Sequence, residues 1–127
     1  MIVLDASAAI LALLNDADAR RSLATETTVV PHLADSEVAS ALRAQVRRGK
    51  IDAGTAEFAL DRWGRLGLHR AAVVGHLPRI WQLRDNLTAY DATYVALAEA
   101  LSCELVTADA RLARAPGPAC PITVVRG

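Results

Sequence analysis

The chain has 127 residues, enough for one domain with a sizeable core, and its 14 basic and 14 acidic residues cancel. That balance removes bulk charge as an argument for or against nucleic acid. A hydrophobic content of 53% and a mean hydropathy of +0.24 exclude a disordered chain and leave apolar surface over for a protein partner.

Ile2–Leu4 reads as a short strand, followed at once by a helix from about Ser7 to Leu14. The apolar run over 8–14 imitates a signal peptide, but no basic segment precedes it and Asp5 does. No apolar run approaches the roughly 20 residues that span a bilayer, so a cytoplasmic chain with no membrane partner is expected. Ala17–Ala24 fits a more polar helix, and Thr28–Val30 a strand stopped by Pro31. Asp35 is placed to cap a helix running to about Arg48, with Gly49 as its stop. Asp52 caps the next helix, whose stripe of Ala56, Ala59, Leu60, Trp63 and Leu66 faces core or a second subunit. Residues 67–76 fit neither period. A helix follows from near Leu77 to Arg84, with Pro78 in its first turn, and another covers 88–101. Glu104–Thr107 is a strand, Ala110–Arg114 a helical turn, APGPACP a loop and Ile122–Val125 the last strand. Strands alternating with helices predict a single α/β domain over residues 1–127 with a short, mainly parallel sheet.

TAYDATYVALAEAL, residues 88–101, contains a difficulty. Its apolar stripe is Tyr94, Val95, Ala98 and Leu101, and helical spacing puts Asp91 on the same face, where an unpartnered carboxylate is costly. Glu37 repeats the pattern in the first turn of DSEVASALRAQV, above Ala41 and Ala44. The helix dipole accounts for either acid alone. Asp5 ends the first strand, and Asp109 lies two residues past the strand ending at Thr107. In a parallel sheet both stand at the carboxyl edge, where open α/β folds hold ligands, flanked by the hydroxyls of Ser7 and Thr107.

Four acids on one rim need another account. Two like charges ~4 Å apart repel by roughly 4 kcal/mol at an effective dielectric near 20. A divalent cation relieves this, and carboxylate oxygens suit Mg²⁺ or Mn²⁺. Such a site beside open water positions is equipment for phosphodiester hydrolysis. No Ser–His–Asp set, Gly-rich phosphate loop or Cys–His pair competes with it. Cys103 and Cys120 form no C-x-x-C pair and read as reduced, partly buried thiols, while His32, His69 and His76 lack metal spacing. Outside the four acids, basic residues outnumber acidic ones by four. Arg43, Arg47, Arg48 and Lys50 could hold backbone phosphates of a nucleic acid, and a solvated helix end explains them equally well.

VLDAS, DSEVASAL, TAYDATYVALAEAL and LVTADARL together resemble, in order and at the expected distances, the motifs of PIN-domain ribonucleases, and most closely the VapC toxins of toxin–antitoxin pairs. The resemblance implies a three-layer α/β/α domain and metal-dependent RNA cleavage. Its catalytic and metal-holding acids fall on Asp5, Glu37, Asp91 and Asp109, with helper hydroxyls on Ser7 and Thr107. It further implies an Mg²⁺ or Mn²⁺ cofactor, a homodimer, and a VapB-like antitoxin whose C-terminal segment pushes a basic side chain into the acid pocket. The rivals are a receiver-like signalling domain and a non-catalytic partner-binding module. A haloacid-dehalogenase-type phosphatase would want an acid where Ser7 stands.

Overall fold

All five strands run parallel, and every connection between successive strands contains a helix and never a tight turn. The computed structural model describes residues 1–14 and 17–126; residues 15, 16 and 127, inside the expected domain span, lie outside the described residues. In chain order the elements are β1 (Ile2–Leu4), α1 (Ala6–Leu13), α2 (Ala17–Thr25), β2 (Thr28–Pro31), α3 (Leu33–Arg47), α4 (Ala53–Arg65), β3 (His69–Ala71), a 3₁₀ turn (Val74–His76), α5 (Leu77–Gln82), α6 (Ala89–Ala100), β4 (Glu104–Thr107), α7 (Ala110–Arg114) and β5 (Ile122–Val124). The stretch that fits neither period thus contains an edge strand, whose exposed His69 and half-buried Arg70 and Ala71 give no continuous apolar run.

The strand order is β3-β2-β1-β4-β5, with Val3 opposite Val29 on one side and Leu105 on the other. The order reverses between β1 and β4, so the crevice beyond their carboxyl ends is the ligand position of such a sheet. A receiver domain runs 2-1-3-4-5 instead, which removes that rival. Helix α6 lies along β1, β2 and β4, while α1 through α4 form a second packed group. The amphipathic reading of α6 was too narrow. Every residue from Ala92 to Ala98 is buried, so the middle of the helix is covered on all sides and belongs to the centre of the domain. Among the described residues no helix is long and apolar enough to cross a membrane.

Two further expectations fail locally. Asp35 does not cap α3; the helix starts two residues earlier and His32, with no side-chain capping bond, precedes it. The Asp35 carboxylate is instead taken by Arg70 Nε and Nη2, both at 2.9 Å, and by Trp63 Nε1 at 2.8 Å, which ties α3 to β3 and α4. Glu37 consequently sits in the second turn, not the first. On α4 the expected stripe is only half covered: Ala59 and Trp63 are buried, whereas Leu60 is 40% exposed.

Candidate active site

Asp5 leaves β1 in extended conformation and caps α1, accepting from Ala8 N–H at 3.0 Å. Its other partners come from two hydroxyls. Ser7 Oγ donates to Asp5 Oδ1 at 2.7 Å, and Thr107 Oγ1, wholly buried at the end of β4, donates to Oδ2. Each hydroxyl has a single proton and both are committed to Asp5. The 3.2 Å separation between Ser7 Oγ and Thr107 Oγ1 is therefore a contact and not a further bond. The same oxygens accept from the next stretch of chain: Ala108 N–H reaches Ser7 Oγ at 2.9 Å and Asp109 N–H reaches Thr107 Oγ1 at 3.0 Å. One network thus fastens the turn after β4 to the junction of β1 and α1, at the point where the sheet order reverses.

A carboxylate offers about four lone-pair sites. Asp5 spends two on Oδ1 and one on Oδ2, which leaves one on Oδ2. Burial pushes the Asp5 carboxyl above its usual range against all three hydrogen bonds, and the charge of Asp91 adds to the rise.

The other acids are held in different ways. Glu37 is pushed up by burial and further by Asp91 and Asp5, while Tyr94 opposes the rise by donating its phenol to Glu37 Oε1 at 2.6 Å. Tyr94 itself is driven far above the ordinary phenol range by burial and by Glu37, so it remains a neutral donor. Asp91 lies in the first turn of α6 behind the cap Thr88, whose hydroxyl accepts from Asp91 N–H at 3.1 Å. Burial and then Asp109 raise its carboxyl; Thr88 and Arg111 oppose them. Asp109 is the exception. Burial pushes it up, but its bonds to Arg111 overcome that and leave it below the usual range. The guanidinium contacts are long, 3.3 Å from Nε and 3.5 Å from Nη2, while Arg111 N–H sits at 2.9 Å in a capping bond.

Asp5, Glu37 and Asp91 therefore feel one another's charge, and Asp91 feels Asp109. Asp91, Asp109 and Arg111 line a cleft of about 260 Å³ with Asn86 and Thr88. As the side chains lie, no three described His, Cys, Asp or Glu residues close into a ready coordination set. Tyr94 engages Glu37, and Arg111 engages Asp109. The donor set is nevertheless all oxygen and rich in unrelieved negative charge, which fits Mg²⁺ or Mn²⁺ and not a softer metal.

Arg43, Arg47, Arg48 and Lys50 are exposed and stand toward or just past the C-terminal end of α3. From Glu37 to Arg47 is about 15 Å along the axis, so Arg47, Arg48 and Lys50 lie away from the rim, while Arg43 is about 9 Å along it. Two residues of the site escaped the sequence reading. Tyr94 looked like core, although its i+3 spacing from Asp91 was a signal. Arg111 falls inside the expected helical turn Ala110–Arg114, where the sequence gives it no role.

The comparisons agree with this geometry. The PIN domain family model matches residues 2–118. Ribonuclease VapC9 of Mycobacterium tuberculosis is 57% identical over 125 residues, covering 98% of both chains. Among solved structures, PAE2754 from Pyrobaculum aerophilum superposes with a TM-score of 0.69 at 28% identity, over 95% of this chain and 81% of that one. A toxin–antitoxin complex from Klebsiella pneumoniae shares the fold at 13% identity and a TM-score of 0.64, over 98% and 97% of the two chains. With its motifs, sheet order and near-complete relatives in accord, the chain belongs to the PIN-domain family and, within it, to the VapC ribonucleases.

Proposed function

We propose that this chain is the toxin of a toxin–antitoxin pair, an endoribonuclease that depends on Mg²⁺ or Mn²⁺ and hydrolyses RNA phosphodiester bonds. The observation that carries this reading is Asp5. It is buried at the switch point, oriented by Ser7, Thr107 and Ala8, and left with one free lone pair among three other acids. When bound, a divalent ion supplies Lewis acidity toward a phosphoryl oxygen and lowers the pKa of a water.

In this reading the protein's own residues have separate tasks. Asp5, Glu37, Asp91 and Asp109 would hold the ion. Ser7 and Thr107 keep Asp5 in one rotamer, and Tyr94 fixes one oxygen of Glu37. The basic end of α3 can engage the RNA backbone only a few nucleotides from the cut.

A VapB-like antitoxin is supported by apolar surface left open. A cleft of about 190 Å³ is lined by Ala12, Leu13, Leu23, Ala24 and Leu66 together with Arg20 and Arg62. Separately, Val74, Leu77 and Trp81 are all more than half exposed at helical spacing, a surface suited to a second copy of this chain. The test is incubation of the purified protein with end-labelled RNA and Mg²⁺, with and without EDTA. Cleavage should need the metal and disappear in Asp91→Asn. Cleavage that persists in EDTA would remove the metal, and an active Asp91→Asn protein would remove the acid rim.

A further inference from the structure

At the amino edge of the sheet, opposite the acid rim, a cavity of about 320 Å³ is lined by Ala98, Glu99, Ser102, Ala119 and Pro121, and by both cysteines of the chain. Parallel β4 and β5 pair Leu105 with Ile122, and Leu105 N–H donates to the Pro121 carbonyl at 2.9 Å. Carried back two residues, this register sets Cys103 opposite Cys120. Adjacent strands run about 4.8 Å apart. Disulfides span Cα separations of roughly 4.4–6.8 Å, a range that contains the strand spacing to which this register extrapolates, and both cysteines line the same cavity. Both residues are half-buried free thiols.

The geometry points to a dithiol site: Cys103 and Cys120 close reversibly into an intrachain disulfide when a hydroperoxide is the oxidant. One thiolate attacks the outer peroxide oxygen, breaks the O–O bond and becomes a sulfenic acid while the remainder leaves as an alcohol, or as water if the oxidant is hydrogen peroxide. The second thiol then attacks that sulfur, forms the S–S bond and expels water. Two thiols lose two electrons and two protons, and the peroxide gains them. Burial raises both thiols; the Met1 ammonium and a backbone bond from Val3 oppose the rise at Cys103, and a backbone bond and Arg79 oppose it at Cys120. A sulfur so raised reacts slowly.

The ring closed by this bond contains β4, α7 and the following loop, and so includes Thr107, Asp109 and Arg111. Oxidation therefore braces the segment that carries one of the rim acids and the hydroxyl that holds another.

The test uses the full chain, reduced, treated with hydrogen peroxide and then capped with N-ethylmaleimide. Arg111 and Arg114 lie between the cysteines, so trypsin separates them and peptide mass spectrometry reads the link directly. The expected product is a cross-linked pair of peptides lighter by two hydrogens, from monomeric protein, with Tm raised by roughly 10 °C and restored by dithiothreitol. Cys120→Ser should show neither the link nor the rise. The inference is overturned if both cysteines carry N-ethylmaleimide or separate oxygen adducts, if the link joins two chains, or if Cys120→Ser keeps the same Tm rise.

Discussion

Thr107→Val changes almost no volume and removes one oxygen from the middle of the rim. In the parent, Thr107 Oγ1 donates to Asp5 Oδ2 and accepts from Asp109 N–H, with no exposed surface. Valine cannot do either. Asp5 keeps Ser7 and Ala8 but loses one bond to its charged form, worth about 1.5–3 kcal/mol, and the orphaned Asp109 N–H adds about 1 kcal/mol. The sum is near 3 kcal/mol. At roughly 2.1 cal/mol/K per residue the unfolding entropy of 127 residues is about 0.27 kcal/mol/K, so Tm should fall by about 10 °C.

Differential scanning calorimetry in EDTA measures this without any contribution from bound metal. Thr107→Ser should recover most of the loss. The pH dependence has a definite sign as well. The carboxyl of Asp5 is raised in the fold, so its burden is present at high pH and is released as pH falls through the folded value. Losing the hydroxyl raises it further, so the gap between parent and variant should narrow on acidification. A valine protein as stable as the parent, or a serine protein no better than the valine one, would refute the network as the device that holds Asp5.

Three other outcomes follow from the same charges. Asp91→Asn should raise Tm in EDTA, because a half-buried carboxylate repelled by Asp109 becomes neutral; a lower Tm would count against a shared acid rim. Mg²⁺ at 100 times its dissociation constant should stabilise the parent by ~2.7 kcal/mol if it binds only the native state, and a calorimetric scan showing no shift at saturation would remove the ion. Metal-free stability should first rise as pH drops below neutral, as Asp5, Glu37 and Asp91 discharge. It should then fall as Asp35 and Glu99, held low by Arg70 and Arg79, are protonated. A monotonic decline of Tm with acidification would contradict the raised group.

The positions of Asp5 and Asp109 at the carboxyl edge were legible because strand ends and helix starts are local events. Asp5 and Asp109 follow short apolar runs that can only be buried strands, and parallel crossovers bring those ends to one edge whatever the detailed packing. What escaped depended on partners distant in sequence. Asp35 looked like a cap because Asp caps are common, yet Arg70 and Trp63 lie 35 and 28 residues away and offer it a bidentate ion pair and an indole N–H. Tyr94 looked apolar because its hydroxyl partner, Glu37, is 57 residues distant. β3 was invisible for a different reason: an edge strand covered on few sides carries little apolar signal.

The rim acids are also entangled with the fold in a way that decides how they can be probed. Asp5 caps α1 and Asp109 caps α7, so each carboxylate satisfies helix N–H groups while it faces the cleft. Replacing either by alanine removes a cap, worth about 1 kcal/mol, together with the charge, and the two losses cannot then be separated. Asparagine caps as well as aspartate does. At Asp5 and Asp109 the asparagine variant therefore keeps the cap while it removes the charge and one acceptor oxygen, the one facing Thr107 or Arg111, and at Asp91, where Thr88 supplies the cap, it never threatens the helix. An inactive Asp5→Asn protein with its helices intact would assign the chemistry to the carboxylate, whereas an inactive Asp5→Ala protein would assign it to nothing in particular.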